Sequence, residues 1–212
     1  QYFIICAKIS TCIISHFETL FQQRPSPALN TGYKSCIISV TVYRKGFDTM
    51  ELEVRGYIAE DLPALTEIWN AGVEEANSFP QNKPFSPEEA EGFFASQSFT
   101  GVAEENGEIL GIYILHPNNV GNCGHIANAS YGVKRSSRGK GVGEKLVRHS
   151  LKMCRTLGFE GLQFNAVVAT NTAAIHLYEK LGFQWIGTIP SGYRMKDGTF
   201  ADIRIYFRPV DR

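Results

Sequence analysis

No two cysteines are spaced as C-x-x-C, and the five present, at positions 6, 12, 36, 123 and 154, are odd in number and irregularly placed. That pattern gives neither a zinc ligand spacing nor a disulfide framework, so no metal is expected and a reducing cytoplasm is the simpler reading. Neither charge is in excess: 21 basic residues balance 21 acidic ones, and the overall electrostatics point to no nucleic-acid partner. Long hydrophobic runs are missing too, since the apolar opening is interrupted by Lys8 and His16 and is too short to span a bilayer. No membrane partner follows from it. Internal repeats and low-complexity tracts are absent. What is present is ordinary for a globular chain: 212 residues, 43% hydrophobic and 20% charged, enough for one domain with a sizeable core.

Residues 1–49 differ from the rest. They hold five of the basic residues but only two of the acidic ones, and no clear small-residue cleavage site follows their apolar start. They read as an upstream or cloning-derived extension outside the fold and without chemistry, the domain itself covering 50–212. From Met50 onward the hydrophobic periods are regular. Residues 52–58 alternate as a strand, and Asp61 and Pro63 open a helix that runs to about Ala76. After a proline-containing loop, Ser86-Pro87-Glu88-Glu89 starts a second helix, with a capping hydroxyl, an early proline and acids near the positive end of the dipole. Strands at 100–105 and 108–115 flank Asn106-Gly107, the pair that most favours a two-residue hairpin. Residues 117–124 form a polar loop, and 125–133 another strand. Helices at 142–157 and 172–181 each stop at Leu-Gly-Phe, where the glycine suits a left-handed cap. Strands at 162–168, 184–189 and 201–208 complete the pattern, with 191–199 as a connection. This order predicts an α+β fold: a mixed sheet with helices on its faces.

The chemistry concentrates between the strand ending at Val133 and the helix beginning near Val142. Arg138-Gly139-Lys140-Gly141-Val142-Gly143 sets three glycines at alternate positions ahead of the helix. Glycine lets the backbone turn tightly and approach a ligand, and the first N–H groups of a helix lack partners and point outward. An anion, a phosphate above all, suits that place, with Arg138 and Lys140 as reinforcement. The spacing is not that of a P-loop, because Gly141 follows Lys140 where a hydroxyl is needed. It is not the dinucleotide fingerprint either, whose third glycine would fall one place later. Glycines ahead of a helix also occur as plain turns. On the helix itself, Val142, Leu146, Met153, Cys154 and Leu157 mark an apolar face, and Lys145, Arg148, Lys152 and Arg155 a basic one that reads as a solvated surface.

The loop Arg138-x-x-Gly141-x-Gly143 resembles the acetyl-coenzyme A loop of the GNAT N-acetyltransferases. About thirty residues later, Asn171-x-x-Ala174-x-x-x-Tyr178-x-x-x-Gly182-Phe183 resembles the second motif of that family, in the right order. The two together are far more specific than either alone, and the resemblance covers about residues 50–210. It implies the GNAT fold, a mostly antiparallel sheet splayed between two strands with helices on both faces. It implies acetyl-CoA as co-substrate and direct transfer of the acetyl group to an amine. The diphosphate would sit on the backbone of 138–143. The pantetheine arm would pair with Tyr131, Gly132 and Val133, and an N–H near Val133 would face the developing oxyanion. Asn171 matches the asparagine that holds the cofactor arm, and is equally a good N-cap. Tyr178 matches the tyrosine that protonates the departing thiolate; its other reading is a core tyrosine on a face with Ala174, Leu177 and Leu181.

The acceptor amine has to lose a proton, and for that His125, Glu74, Glu75 and His116 are available, none favoured by its surroundings in sequence. His176 reads as facing outward, and Cys123 and Cys154 as inert. Asn128 and Asn165 stand inside strands, where asparagine is depleted. The stretches HIANASYGV and FNAVVATN, with Trp185–Pro190 after them, are similar to the yeast acetyltransferases that act on proline analogues such as azetidine-2-carboxylate. That similarity implies that Asn128 and Asn165 hold the carboxylate of a substrate; the structural alternative is that each pairs with a neighbouring loop. The expected function is N-acetylation of a primary or secondary amine of a small molecule. A protein N-acetyltransferase and a non-catalytic acetyl-CoA sensor are the rival readings. Dimerisation through late strands is common in the family, so the resemblance leaves a homodimer open by analogy.

Overall fold

Seven strands and four α-helices make up the described part of the computed structural model, residues 51–210. The extension expected over 1–49 and the start expected at Met50 lie outside it. In chain order the elements are β1 (Glu53–Gly56), α1 (Leu62–Glu75), α2 (Pro87–Ala95), β2 (Phe99–Glu105), β3 (Glu108–Pro117) and β4 (Ile126–Val133). Then come α3 (Val142–Thr156), β5 (Gly161–Val168), α4 (Thr172–Lys180), β6 (Gln184–Arg194) and β7 (Phe200–Pro209). Local signals account for most boundaries. The Ser86 hydroxyl accepts from the Glu89 N–H at 3.2 Å while the Glu89 carboxylate accepts from the Ser86 N–H at 2.8 Å, a reciprocal box that starts α2. Asn106 and Gly107 take φ of 54° and 81°, the left-handed pair a tight hairpin between β2 and β3 requires.

The sheet order is β1-β2-β3-β4-β5-β7-β6, antiparallel throughout except where β4 meets β5. Successive residues of β3 serve opposite faces. Ile112 and Ile114 pack with Trp69 and Leu65 of α1 and Phe94 of α2, whereas Tyr113 and Leu115 pack with Leu146 and Val147 of α3 and Ile175 of α4. Helices therefore cover both faces. Each such side chain, taken fully from water, contributes roughly 1.5–3 kcal/mol. Two glycines let helices come close: a Cβ on Gly111 would lie 2.9 Å from Val142 Cγ1, and one on Gly132 would lie 3.0 Å from Ile68 Cγ2.

The feature that positions the site is a break in the sheet. β4 pairs with β3 over seven positions, from Gly111↔Val133 to Pro117↔Ala127, but with β5 over only three, ending at Asn128↔Gln163. Beyond that point the strands part. The cause lies in β5, whose register against β7 slips between Phe164↔Tyr206 and Val167↔Arg204, leaving Asn165 and Ala166 together opposite Ile205. A bulge of this kind bends its strand, here away from β4.

Three local expectations change. β6 does not stop at Ile189 but continues to Arg194 past an irregularity where Ser191 has φ 53°, so only 195–199 form the connection. Leu157, expected on the apolar face of α3, is 42% exposed because the helix ends at Thr156. The buried face of that helix is completed by Val147 and Ser150 instead. No helix of the described residues is long and apolar enough to cross a membrane.

Candidate active site

The parting of β4 and β5 opens a cleft of about 1100 Å³ that runs through the sheet, from the glycine loop to the 77–81 segment after α1. At one end stands the N-terminus of α3. Gly139 and Gly141 have φ of 76° and 82°, and a Cβ on either would meet nothing within 4 Å. Their freedom is thus used for backbone conformation, and the space ahead of the helix stays open. The first N–H of α3 taken up by the helix is that of Lys145, donated to the Gly141 carbonyl at 3.1 Å, so those of Val142, Gly143 and Glu144 face outward.

Backbone along the gap follows from the alternation of an antiparallel pair. The Lys134 N–H donates to the Leu110 carbonyl at 2.8 Å, and the Asn118 N–H to the Ile126 carbonyl at 2.8 Å. These fix residues 126, 128, 130, 132 and 134 as the ones whose amides face β3. The N–H and C=O of Tyr131 and Val133 consequently turn into the gap, while those of Gly132 do not. Of the three, Gly132 serves instead as the place where α1 crosses closely. The Tyr131 ring points away to α3, its hydroxyl 2.6 Å from that of Ser150.

Charged groups at the cradle are already paired. Arg138 reaches back so that Nε donates to the Val133 carbonyl at 3.3 Å and Nη2 meets the Glu75 carboxylate at 3.0 Å. Arg135 meets the same carboxylate at 3.3 Å. Glu144, in the first turn of α3, is held 2.6 Å from Lys180 and 2.8 Å from Arg148, and these cations keep its carboxyl below the usual range. Lys140 is exposed and does not line the cleft, and the Val142 side chain is buried in the core, leaving its backbone to the cradle. Gly143 lies within ordinary contact of Leu177, at 3.5 Å from a built Cβ.

Tyr178 enters the cleft from α4. Its ring is fixed by Phe164 at 4.3 Å and Phe183 at 5.7 Å between centroids, and its hydroxyl has no hydrogen-bond partner among the described residues. Burial raises the phenol's pKa well above its ordinary value, so it stays protonated. Asn171 caps α4, its side chain accepting from the Ala174 N–H at 3.2 Å, and it also lines the cleft.

Residues 62–183, more than half of the chain, match the acetyltransferase (GNAT) family. The chain belongs to that family. It is 31% identical over 165 residues to an N-acetyltransferase of Schizosaccharomyces pombe, covering 69% of this chain and 79% of the relative. It is 28% identical over 179 residues to a phosphinothricin N-acetyltransferase of Streptomyces coelicolor, covering 76% and 98%. Among solved structures, a phosphinothricin acetyltransferase from Sinorhizobium meliloti in complex with acetyl-CoA superposes with a TM-score of 0.71 at 24% identity, over 76% of this chain and 89% of that one. The fold is the GNAT fold, and the protein is an acetyl-CoA-dependent N-acyltransferase.

The other end of the acetyltransferase's cleft carries no carboxylate, ammonium or guanidinium group among the described residues. Asn128 and Asn165 do meet there, through a third asparagine that sequence reasoning passed over. Asn118 Oδ1 accepts from Asn128 Nδ2 at 3.3 Å and from Asn165 Nδ2 at 2.6 Å. The loop pairing weighed as the alternative is therefore present, and it leaves the Asn128 carbonyl oxygen uncommitted among the described residues. Asn118 gave no signal in sequence, being one polar residue in a polar loop. Phe93, Gln97 and His116 line the same end, and the Tyr193 hydroxyl crosses to donate to the Phe79 carbonyl at 2.9 Å, tying β6 to the segment beyond α1. Of the candidate proton acceptors, His125 and Glu74 are exposed and outside the cleft, and Glu75 belongs to Arg138 and Arg135. His176 is exposed at the cleft rim. Cys154 is buried, and burial pushes its thiol up to about 12.

Proposed function

We propose that the enzyme acetylates a primary or secondary amine of a small molecule by direct attack, with Tyr178 as the acid for the leaving thiolate. The observation that carries this reading is the line of unclaimed donors along one gap: outward N–H groups at α3, the N–H groups of Tyr131 and Val133, then the unpartnered Tyr178 hydroxyl. The name of the Streptomyces relative, which the chain matches over 98% of its length, supports a small amine as acceptor.

Acetyl-CoA supplies an activated acyl group as a thioester. Backbone N–H groups of 142–144 would hold its diphosphate, with Arg138 released from Glu75 to join them. Tyr131 and Val133 would pair with the amides of its arm as an added strand. Asn171 would meet that arm while still capping α4. Tyr178, protonated because burial disfavours phenolate, gives its proton to sulfur as the carbon–sulfur bond opens. Asn128 and Asn165, steadied by Asn118, would face the acceptor. We read β6 as the seat of a second copy, since Trp185, Ile186 and Ile189 are 56%, 59% and 47% exposed along this edge strand.

Thiol release from acetyl-CoA, followed across amino acids, polyamines, aromatic amines and peptide N-termini, tests the reading. Release with at least one small amine is expected. Release with peptides alone would make this a protein acetyltransferase. No release with any amine, despite coenzyme A binding in calorimetry, would make it a sensor.

A further inference from the structure

We infer that His116 takes the proton from the acceptor amine. This rests on the N-acetyltransferase reading above and assigns the half of the reaction that Tyr178 leaves open. His116 stands on β3 directly opposite Asn128, which is the last residue of β4 still paired with β5. It is therefore one strand away from the point where the gap begins, and it lines the cleft. Its place in the alternation puts it on the face of Ile112 and Ile114, the side covered by α1 and α2. Tyr178 comes from α4 on the opposite face. Base and acid thus flank the gap from its two sides, as an attack on one side and a departure on the other require.

The tautomer is set by one hydrogen bond. His116 Nδ1 lies 2.9 Å from the Pro117 carbonyl oxygen. A carbonyl can only accept, so Nδ1 carries the hydrogen and the neutral ring keeps its lone pair on Nε2. No described residue bonds to Nε2. In that tautomer Nε2 is the nitrogen placed to take the proton an attacking amine must lose.

The other ionisable groups of the cleft are committed elsewhere. Glu75 is paired with Arg135 and Arg138, and Glu144 with Lys180 and Arg148. The Tyr131 hydroxyl is bonded to Ser150. His176 is two residues from Tyr178, about 200° around the helix, and points away from it. In the step itself, the amine nitrogen bonds to the acyl carbon as the carbon–sulfur bond breaks. The amine's proton goes to His116 Nε2 and the phenol proton of Tyr178 goes to sulfur. Solvent then returns the proton from imidazolium to phenolate, so both residues end as they began.

Two measurements test this. Long-range ¹⁵N–¹H NMR of the unliganded protein should show the Nδ1-protonated tautomer for His116. With the best amine of the panel, His116→Asn should lower kcat about a hundredfold or more. It should leave the amine KM within a few-fold and coenzyme A affinity unchanged, because Asn can still donate to the Pro117 carbonyl. Added imidazole should restore part of the rate to His116→Ala. An Nε2-protonated resting tautomer, or an Asn variant turning over within about threefold of the parent, overturns the assignment. If the parent acetylates no amine, the enzyme reading fails while the NMR result still decides whether the free Nε2 exists.

Discussion

Glu75 and Arg138 are joined across 63 residues of sequence, carboxylate to guanidinium at 3.0 Å, beside the glycine loop that leads into α3. The same arginine also donates to the Val133 carbonyl, one of the groups a pantetheine arm would use. One side chain therefore occupies two places that coenzyme A would need in the proposed pose, and binding in that pose would have to move it.

Replacing Glu75 by Gln removes the anion that competes for Arg138. Two unit charges 4 Å apart interact by about 1–4 kcal/mol between water-like and surface dielectrics, and salt reduces this further. Coenzyme A should bind about three- to tenfold more tightly to Glu75→Gln at low ionic strength, measured by calorimetry, and the gain should shrink at roughly 0.5 M salt. Weaker binding would mean that Glu75 organises the arginine rather than withholding it.

Tyr178→Phe should lower kcat about a hundredfold or more and leave coenzyme A affinity within about twofold, since the ring contacts survive. The parent has a further signature in its pH profile. Burial disfavours the phenolate and so raises the pKa, which keeps the acid form present as pH climbs. Turnover at saturating substrates should therefore hold through about pH 10, where an ordinary phenol ionises. A fall in kcat between about pH 8 and 10 that the Phe variant lacks would contradict the environment described for Tyr178.

Gly141 and Gly158 offer a matched pair. Their φ values are 82° and 80°, and a Cβ on either would meet nothing within 4 Å. Alanine at either position should cost about 1–2 kcal/mol of stability in urea titrations, the usual strain of a left-handed non-glycine residue. Only Gly141→Ala should also weaken coenzyme A binding, because only Gly141 borders the cradle. Equal affinities for the two variants would remove the diphosphate from that loop.

Signals confined to a few neighbouring residues were the ones readable in advance. Asn106-Gly107, the Ser86 box and the glycines at 158 and 182, both at φ 80°, each fix their own turn or cap, whatever the rest of the chain does. The glycine loop ahead of α3 belongs to this group as a backbone turn, and so does the placing of Tyr178 on a cleft-facing helix. What escaped depends on partners distant in sequence. Asn118 matters only because Asn128 and Asn165 arrive beside it, ten and 47 residues away. Glu75, weighed as a base, turned out to be an arginine's counter-ion for the same reason. Gly132 was placed in the cofactor strand by motif, but which amides face the gap depends on pairing with β3. The end of β6 was missed because Pro190, Ser191 and Gly192 carry the composition of a turn, yet β7 holds them in a bent strand.

The opening in which both substrates would meet exists because β5 carries one residue more than β7 can match at Ile205. Its presence is a matter of chain length rather than of side chains. Among chains built on this frame, a single-codon insertion or deletion at that spot would be the change able to create or erase the reaction chamber, with Tyr178, His116 and the whole cradle left in the sequence untouched.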